Sequence, residues 1–215
     1  MRKPRLSLPI TRPVLFALVA GGLGGVLLVA FLIELDRFTS TNAFCTGCHS
    51  MTYAEESYWQ SAHYNSTSGI RASCGDCHVS EGVLAATWDH LMGTKDLLKQ
   101  LFGPDYDDPA VNLVHLPEAA FHARQWFRDR KSATCSRCHE LEAILGKRAD
   151  TQAIHREETA GKSCIDCHIN LVHRKVPSEE TFKRDAWNRM VEEELGLGPG
   201  TADRILEGDV KAATP

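Results

Sequence analysis

The sequence lacks the marks of several common protein classes. Its formal net charge is −4 over 215 residues, so it has none of the basic excess that is typical of proteins that bind nucleic acids. It also lacks the alternating runs of β-branched residues that predict strands. We therefore predict a chain that is mainly α-helical with extensive loops.

Cysteine is absent outside one short pattern. All eight cysteines fall in four copies of Cys-x-x-Cys-His, the attachment signature of c-type haem, and none is left for a nucleophilic site. Disulfides or structural zinc would give no reason for a histidine after every second cysteine. We predict four covalently bound haems c, attached outside the cytoplasm. The predicted attachment residues are Cys45, Cys48, Cys74, Cys77, Cys135, Cys138, Cys164 and Cys167.

Charge is absent from residues 14–33. As a helix this run would rise about 1.5 Å per residue and cross roughly 30 Å of hydrocarbon. All charged residues before this run are basic, which predicts a cytoplasmic N-terminus. A cleaved signal peptide would have a shorter apolar core and a small-residue cleavage site, so we predict an uncleaved single-pass anchor in a bacterial inner membrane. Gly21 and Gly25 form a G-x-x-x-G pair that permits packing on a partner helix or a homodimer.

The four motifs form two pairs with equal spacing. Cys74 follows Cys45 by 29 positions, and Cys164 follows Cys135 by 29, which predicts a duplicated two-haem unit. We expect the haems to supply most of the apolar interior, because little chain remains for an ordinary core. The predicted divisions are a cytoplasmic N-terminus at 1–13, a transmembrane anchor at 14–35, a small periplasmic tetrahaem cytochrome domain at 36–175 with dihaem units at 45–78 and 135–168, and a C-terminal extension at 176–215.

Amphipathic patterns predict three helices outside the anchor. The end of the chain, from residue 201, is expected to be mobile or ordered by a partner. The predicted helices lie within 81–103 with an interruption near Gly93, at 117–131 with Pro117 in the first turn, and from a cap at Ser178 to a stop at Gly196.

Histidines and one methionine are the candidate iron ligands. Each motif histidine is the expected proximal ligand of its own haem, and a second ligand sets the potential. The first motif reads "CTGCHSM", so His49 and Met51 are alternatives for the first iron. Of six histidines outside the motifs, His63, His155 and His173 lie close in sequence to the motifs and are the predicted distal ligands.

Four stretches carry a resemblance to a known family. They are "FCTGCHSM", "SAHYNSTSGIRASCGDCHV", "GTKDL" and "GKSCIDCHINLVH". They resemble the NapC/NirT family of membrane-anchored tetrahaem quinol dehydrogenases, over about residues 10–175. The resemblance implies that electrons pass from the membrane quinone pool through four haems to a periplasmic reductase or multihaem cytochrome.

The resemblance also implies particular iron ligands. In the family the methionine of C-x-x-C-H-x-M binds the first iron in place of the motif histidine, which maps to Met51 here, with His49 as the alternative. For the other irons it implies His78 with His173 at the second haem, His139 with His155 at the third, and His168 with His63 at the fourth.

The family quinol site combines a lysine and an acidic residue after the second motif. The acidic position maps to Asp96, whereas the lysine position maps to His90 or Asp89, with Lys95 one turn away as an alternative. A histidine can accept a quinol proton near neutral pH. The same site run in reverse would reduce quinone with electrons from a soluble multihaem oxidoreductase. A passive electron-transfer anchor and a terminal reductase are further alternatives.

Overall fold

The computed structural model describes residues 11–144, 146, 148–155 and 161–208, without the side chains of His49 and Ala149. All regular secondary structure in these ranges is helical: α-helix, short 3₁₀-helix and a π-helical turn at residues 154–155. The predicted fold class, mainly α with extensive loops, is therefore confirmed.

Helix α1 (Arg12–Thr39) is the candidate membrane span. Within the described ranges it is the helix that is long and apolar enough to cross a bilayer, and none of its residues is buried by the rest of the protein. A Cβ built on Gly21 or Gly25 would meet no other atom within 4 Å. This face is open to a second helix, and the homodimer stays a prediction.

The first half of the haem domain consists of short helices followed by one long helix. The long helix does not break at Gly93, so the predicted interruption there is wrong. The helices are α2 (Asn42–Cys45), a 3₁₀ turn (His49–Met51), α3 (Thr52–Gln60), α4 (Cys74–His78) and α5 (Val83–Phe102).

Helix α6 (Pro109–Asp129) begins earlier than predicted. The carboxylate of Asp108 accepts hydrogen bonds from two backbone N–H groups of the first turn, at 2.8 and 3.1 Å, and Pro109 occupies the first turn. Pro117 lies inside the helix instead of at its start. The Asp-Pro pair, which was overlooked, is the signal that sets the true beginning.

The second half contains short turns and two terminal helices. Ser178 does not cap α9, which begins at Arg184, but Gly196 ends it in the left-handed conformation (φ 66°), as predicted. The expectation of a mobile end is wrong for residues 201–206, and residues 209–215 lie outside the described ranges. The elements are 3₁₀ turns at Cys135–Arg137 and Leu141–Ala143, α7 (Ala149–Ala153), α8 (Cys164–Cys167), α9 (Arg184–Leu195) and α10 (Thr201–Leu206).

An apolar core lies where α6 meets α9 and α10. The indole of Trp187 is buried and its N–H donates to the carbonyl of Leu113 at 2.8 Å. All members of this core outside α6 belong to the C-terminal extension, beyond the tetrahaem domain for which little ordinary core was expected. The remaining buried apolar members are Ala110, Val111, Val114, Val176, Val191, Ala202 and Ile205.

A buried arginine joins the extension to α6. The guanidinium of Arg124 donates to the carbonyls of Val176 and Pro177, each at 2.7 Å. Buried carbonyls need such partners, since an unpaired one costs about 1–3 kcal/mol. The start of the extension is therefore fixed against the haem domain.

The core gives a stability prediction. We expect Trp187→Ala to lower the free energy of unfolding by about 3–5 kcal/mol, because it opens a large cavity and leaves the Leu113 carbonyl unpaired. Chemical denaturation of the full-length protein in detergent, followed by tryptophan fluorescence and haem absorbance, measures this change. Arg189→Ala, at an exposed position of the same helix, should stay within about 0.5 kcal/mol of the parent. Equal stability of the two variants would contradict the prediction.

Candidate functional site

One large cavity runs through the haem domain. Its volume is about 2990 Å³, whereas a pocket for one small molecule usually encloses about 300–1,000 Å³. Its wall includes all eight motif cysteines and every histidine whose side chain is described. The space and its lining fit several haem groups attached through these cysteines.

The second and fourth motifs share one local structure. The hydroxyl of Ser73 caps α4, and Asp76 returns a bond by accepting from the Ser73 N–H at 2.7 Å. Ser163 and Asp166 repeat this capping box at α8, with 2.8 Å for the same bond. The reciprocal caps hold both Cys-x-x-Cys turns in helical form. This agreement supports the predicted duplication.

Cysteines of paired motifs lie close in space. The thiol of Cys45 shares a hydrogen bond with that of Cys74, which lowers the pKa of Cys45 to about 7. Burial raises the pKa of Cys135, and the nearby Cys164 raises it further. In the described part of the chain, no three His, Cys, Asp or Glu side chains form a cage of the kind that structural zinc requires. In each pair of motifs, the first cysteine of one motif therefore lies beside the first cysteine of the other, and the division into two dihaem units stays a prediction.

Six histidines form three pairs across the cavity. The ring centres are 6.1 Å apart for His78 and His173, 6.2 Å for His63 and His139, and 6.2 Å for His155 and His168. A metal–imidazole bond is about 2 Å long, so two rings on opposite sides of one metal have centres roughly 6 Å apart. Each pair therefore has the spacing that a six-coordinate haem iron needs.

The low pKa values of three of these rings suit them to bind iron. Burial, followed by the nearby His173, lowers the pKa of His78 to about 4, and burial also lowers the pKa of His63 and of His173. These rings are neutral at pH 7, and iron binds the neutral imidazole. The Nδ1 atoms of His155 and His173 lie 2.7 Å from the Thr151 carbonyl and 3.2 Å from the Ala54 carbonyl. Since a carbonyl only accepts, Nδ1 carries the hydrogen in the neutral form of each ring.

Two of the three pairs differ from those that the resemblance implies. His173 lies beside His78, as expected. The structure places His63 beside His139 and not beside His168, and it places His155 beside His168 and not beside His139. Sequence distance does not reveal which histidines meet across the cavity, because each pair joins separate segments of the chain.

The first motif sits at the junction of α1 and α6. The amide of Asn112 on α6 donates to the carbonyl of Ser50 at 3.1 Å and fixes the 3₁₀ turn His49–Met51. Met51 is 39% exposed and lines the cavity. The side chain of His49 lies outside what the structure describes, so the choice between the two ligands stays a prediction.

The first haem gives a ligand prediction. If Met51 binds the first iron, Met51→Ala should alter that haem's absorption spectrum and shift its potential, because a thioether is replaced. Spectropotentiometry of the full-length protein measures both. Met92→Ala, at an exposed site on α5, should change neither. An unchanged first haem in Met51→Ala would assign His49 as the ligand.

The structure separates the candidate quinol residues. Asp89 is only 8% exposed, accepts from the Arg130 guanidinium at 2.8 Å and from the Ser80 N–H at 2.8 Å, and is thereby held in a structural role. Lys95 and Asp96 are exposed, and the Asp96 carboxylate lies 3.8 Å from the Lys99 amino group. Asp96 follows His90 by six positions. Because an α-helix has about 3.6 residues per turn, the two side chains lie on different sides of α5. The structure does not show them acting together.

His90 instead faces the end of the membrane helix. Its Nδ1 atom lies 2.9 Å from the carbonyl of Ala86 and 3.6 Å from the carboxylate of Asp36. Sequence reasoning missed Asp36. The sequence places Asp36 one turn before the end of α1. A residue there can contact a helix that lies at the membrane surface, and this position was the signal that could have identified it.

Haem-attachment motifs that line one cavity beside a membrane-spanning helix define a membrane-anchored multihaem cytochrome c. The chain belongs to the NapC/NirT cytochrome c family, whose N-terminal region matches residues 9–179. It is accordingly a tetrahaem cytochrome c of electron transport.

Several curated proteins are similar to this chain. A probable tetraheme cytochrome c-type protein of Nitrosomonas europaea is 37% identical over 81% of this chain and 75% of its own length. The cytochrome c-type protein NapC of Escherichia coli (strain K12) is 30% identical over 73% of this chain and 80% of its own length. The cytochrome c-type protein TorC of the same strain is 32% identical over 83% of this chain, which spans 47% of TorC. No solved structure gives a significant match.

Proposed function

We propose that this protein is a quinol dehydrogenase that oxidises membrane quinol and passes the electrons through four haems to a periplasmic redox partner. The position of His90 carries the proposal. A group able to accept a proton lies against the end of α1, on the wall of the cavity that also holds the first haem-attachment motif.

The surface of α5 supports access from the bilayer. This helix packs against α1 and presents a row of exposed apolar side chains along its length. Quinol dissolves in the hydrocarbon, so an apolar surface next to the anchor gives it a path to His90 without crossing water. The exposed apolar side chains of this row are Leu84, Trp88, Leu91, Leu98 and Phe102.

The electrons and protons that quinol releases can each be assigned to an acceptor. Quinol loses two electrons and two protons and becomes quinone. Each bound haem c supplies a one-electron acceptor. Because the Nδ1–H of neutral His90 bonds the Ala86 carbonyl, its Nε2 lone pair can take one hydroxyl proton. Asp96, exposed on the same helix, stays the predicted acceptor of the second proton.

We also propose an iron-ligand set from the paired rings. His78 and His173 would hold the second haem, His139 and His63 the third, and His168 and His155 the fourth. The ring spacing and the neutral state of the buried imidazoles support these pairs. Met51, with His49 as the alternative, would hold the first.

Direct reduction by quinol tests the proposed function. Oxidised full-length protein in lipid nanodiscs should show reduced haem absorption when a menaquinol or ubiquinol analogue is added, and dithionite should complete the reduction. Protein that dithionite reduces fully and quinol leaves oxidised would contradict the proposal. If reduced protein instead transfers electrons to added quinone, with haem potentials below that of the quinone pool, the reverse direction applies.

A further inference from the structure

We propose that Asp36 is a positioning residue for proton transfer from quinol and that it acts through His90. The inference rests on the proposed function and adds a residue from the membrane helix to that site. The carboxylate Oδ1 of Asp36 lies 3.6 Å from the Nδ1 of His90. Their side chains are 31% and 26% exposed, so water shields the pair only in part.

The carbonyl of Ala86 sets the tautomer of His90. It lies 2.9 Å from Nδ1 and can only accept, so in the neutral ring Nδ1 carries the hydrogen and Nε2 has the free lone pair. The hydroxyl O–H bond of quinol breaks as an Nε2–H bond forms. The second hydroxyl proton goes to Asp96, as proposed above, and bound haems would accept the two electrons one at a time. The ring becomes an imidazolium, and its positive charge then faces the Asp36 carboxylate.

Neighbouring groups hold Asp36 in place. The hydroxyl of Ser40 donates to Asp36 Oδ1 at 3.2 Å, and the Ser40 N–H donates to the Asp36 carbonyl at 2.9 Å. Ser40 in turn packs against Gly75 of the second motif so tightly that a Cβ there would lie 2.6 Å from the Ser40 carbonyl oxygen. The carboxylate is thus fixed by contacts that reach a haem-attachment turn.

Other charged groups near this junction have partners of their own. Glu34 on α1 accepts from Arg37 at 2.7 Å, and Asp89 on α5 accepts from Arg130 at 2.8 Å. Among the described side chains, Asp36 is therefore the carboxylate that is available to interact with the imidazole of His90. A buried or half-buried acid that orients a histidine and stabilises its cation is a recurring device in proton transfer.

Steady-state kinetics of full-length variants in nanodiscs tests this role. We expect Asp36→Asn to lower kcat for a quinol analogue by about 10- to 100-fold, the range that supporting partners of histidines show, with little change in KM. Asp36→Glu keeps the charge and should recover much of the rate. Glu34→Gln, a matched change on the same helix, should leave kcat unchanged. All variants should retain four haems and a parental spectrum after dithionite reduction.

The outcomes separate this inference from the proposed function. If Asp36→Asn keeps the parental kcat while His90→Gln loses it, the role of Asp36 is wrong and the proposed function stands. If His90→Gln also keeps its rate, the proton is accepted elsewhere and the role of Asp36 is wrong, whereas the proposed function fails only if quinol does not reduce the parent protein. If Asp36→Glu is as slow as Asp36→Asn, or if the haem spectra change, Asp36 has only a structural role and the inference is wrong.

Discussion

Replacing His90 by glutamine is expected to slow quinol-driven haem reduction by about 10²- to 10⁴-fold, the usual contribution of a general base. Glutamine has a similar size and can still donate to the Ala86 carbonyl, but it cannot take a proton. The change therefore removes the chemistry and leaves the packing between α5 and α1. Stopped-flow absorbance with a quinol analogue measures the rate on full-length protein in nanodiscs.

A second histidine serves as the control for His90. His122 is exposed on α6 and also lines the cavity. His122→Gln should reduce at the parental rate, and both variants should reduce fully with dithionite. A parental quinol rate in His90→Gln would show that the proton goes elsewhere, with Asp96 as the next residue to replace.

Replacing His63 by methionine should alter the third haem and not the fourth. The ring of His63 lies 6.2 Å from that of His139, which follows the third attachment pair. Exchange of an imidazole for a thioether should raise that haem's potential by roughly 0.1–0.3 V, within the range of about 0.8 V that axial ligands cover. Spectropotentiometry resolves such a shift.

Assignment of the altered haem requires a marker. Cys138→Ala leaves the third haem with one thioether and one unreacted vinyl group, which shifts its absorption and distinguishes it from the others. In that background His63→Met should change the marked band. The matched background Cys167→Ala marks the fourth haem, whose band should stay unchanged. A change in the fourth haem instead would restore the pairing that the resemblance implies.

The sequence alone was sufficient to predict features that a short local pattern encodes. Four Cys-x-x-Cys-His motifs predicted the haem-attachment sites, and the structure lines one cavity with all of them. A charge-free run predicted the helix that became α1. Gly196 predicted a helix end because glycine adopts the left-handed conformation at low cost.

Sequence failed where the outcome depends on contacts between distant segments. Pro117 suggested a helix start, but Asp108 caps the helix earlier and the packing of α9 and α10 on α6 stabilises the turns before the proline. Residues 201–206 are polar enough to suggest a mobile end, yet Ala202 and Ile205 are buried. The histidine pairs and the contact of Asp36 with His90 depend on distances that no local pattern encodes.

The apolar core of α6, α9 and α10 has a consequence for the order of biogenesis. Its last contributors, α9 and α10, are synthesised after all four attachment motifs, because the ribosome builds the chain from its N-terminus. The core cannot close before the last cysteine pair has been made. Closure of the core therefore follows the synthesis of all four attachment sites.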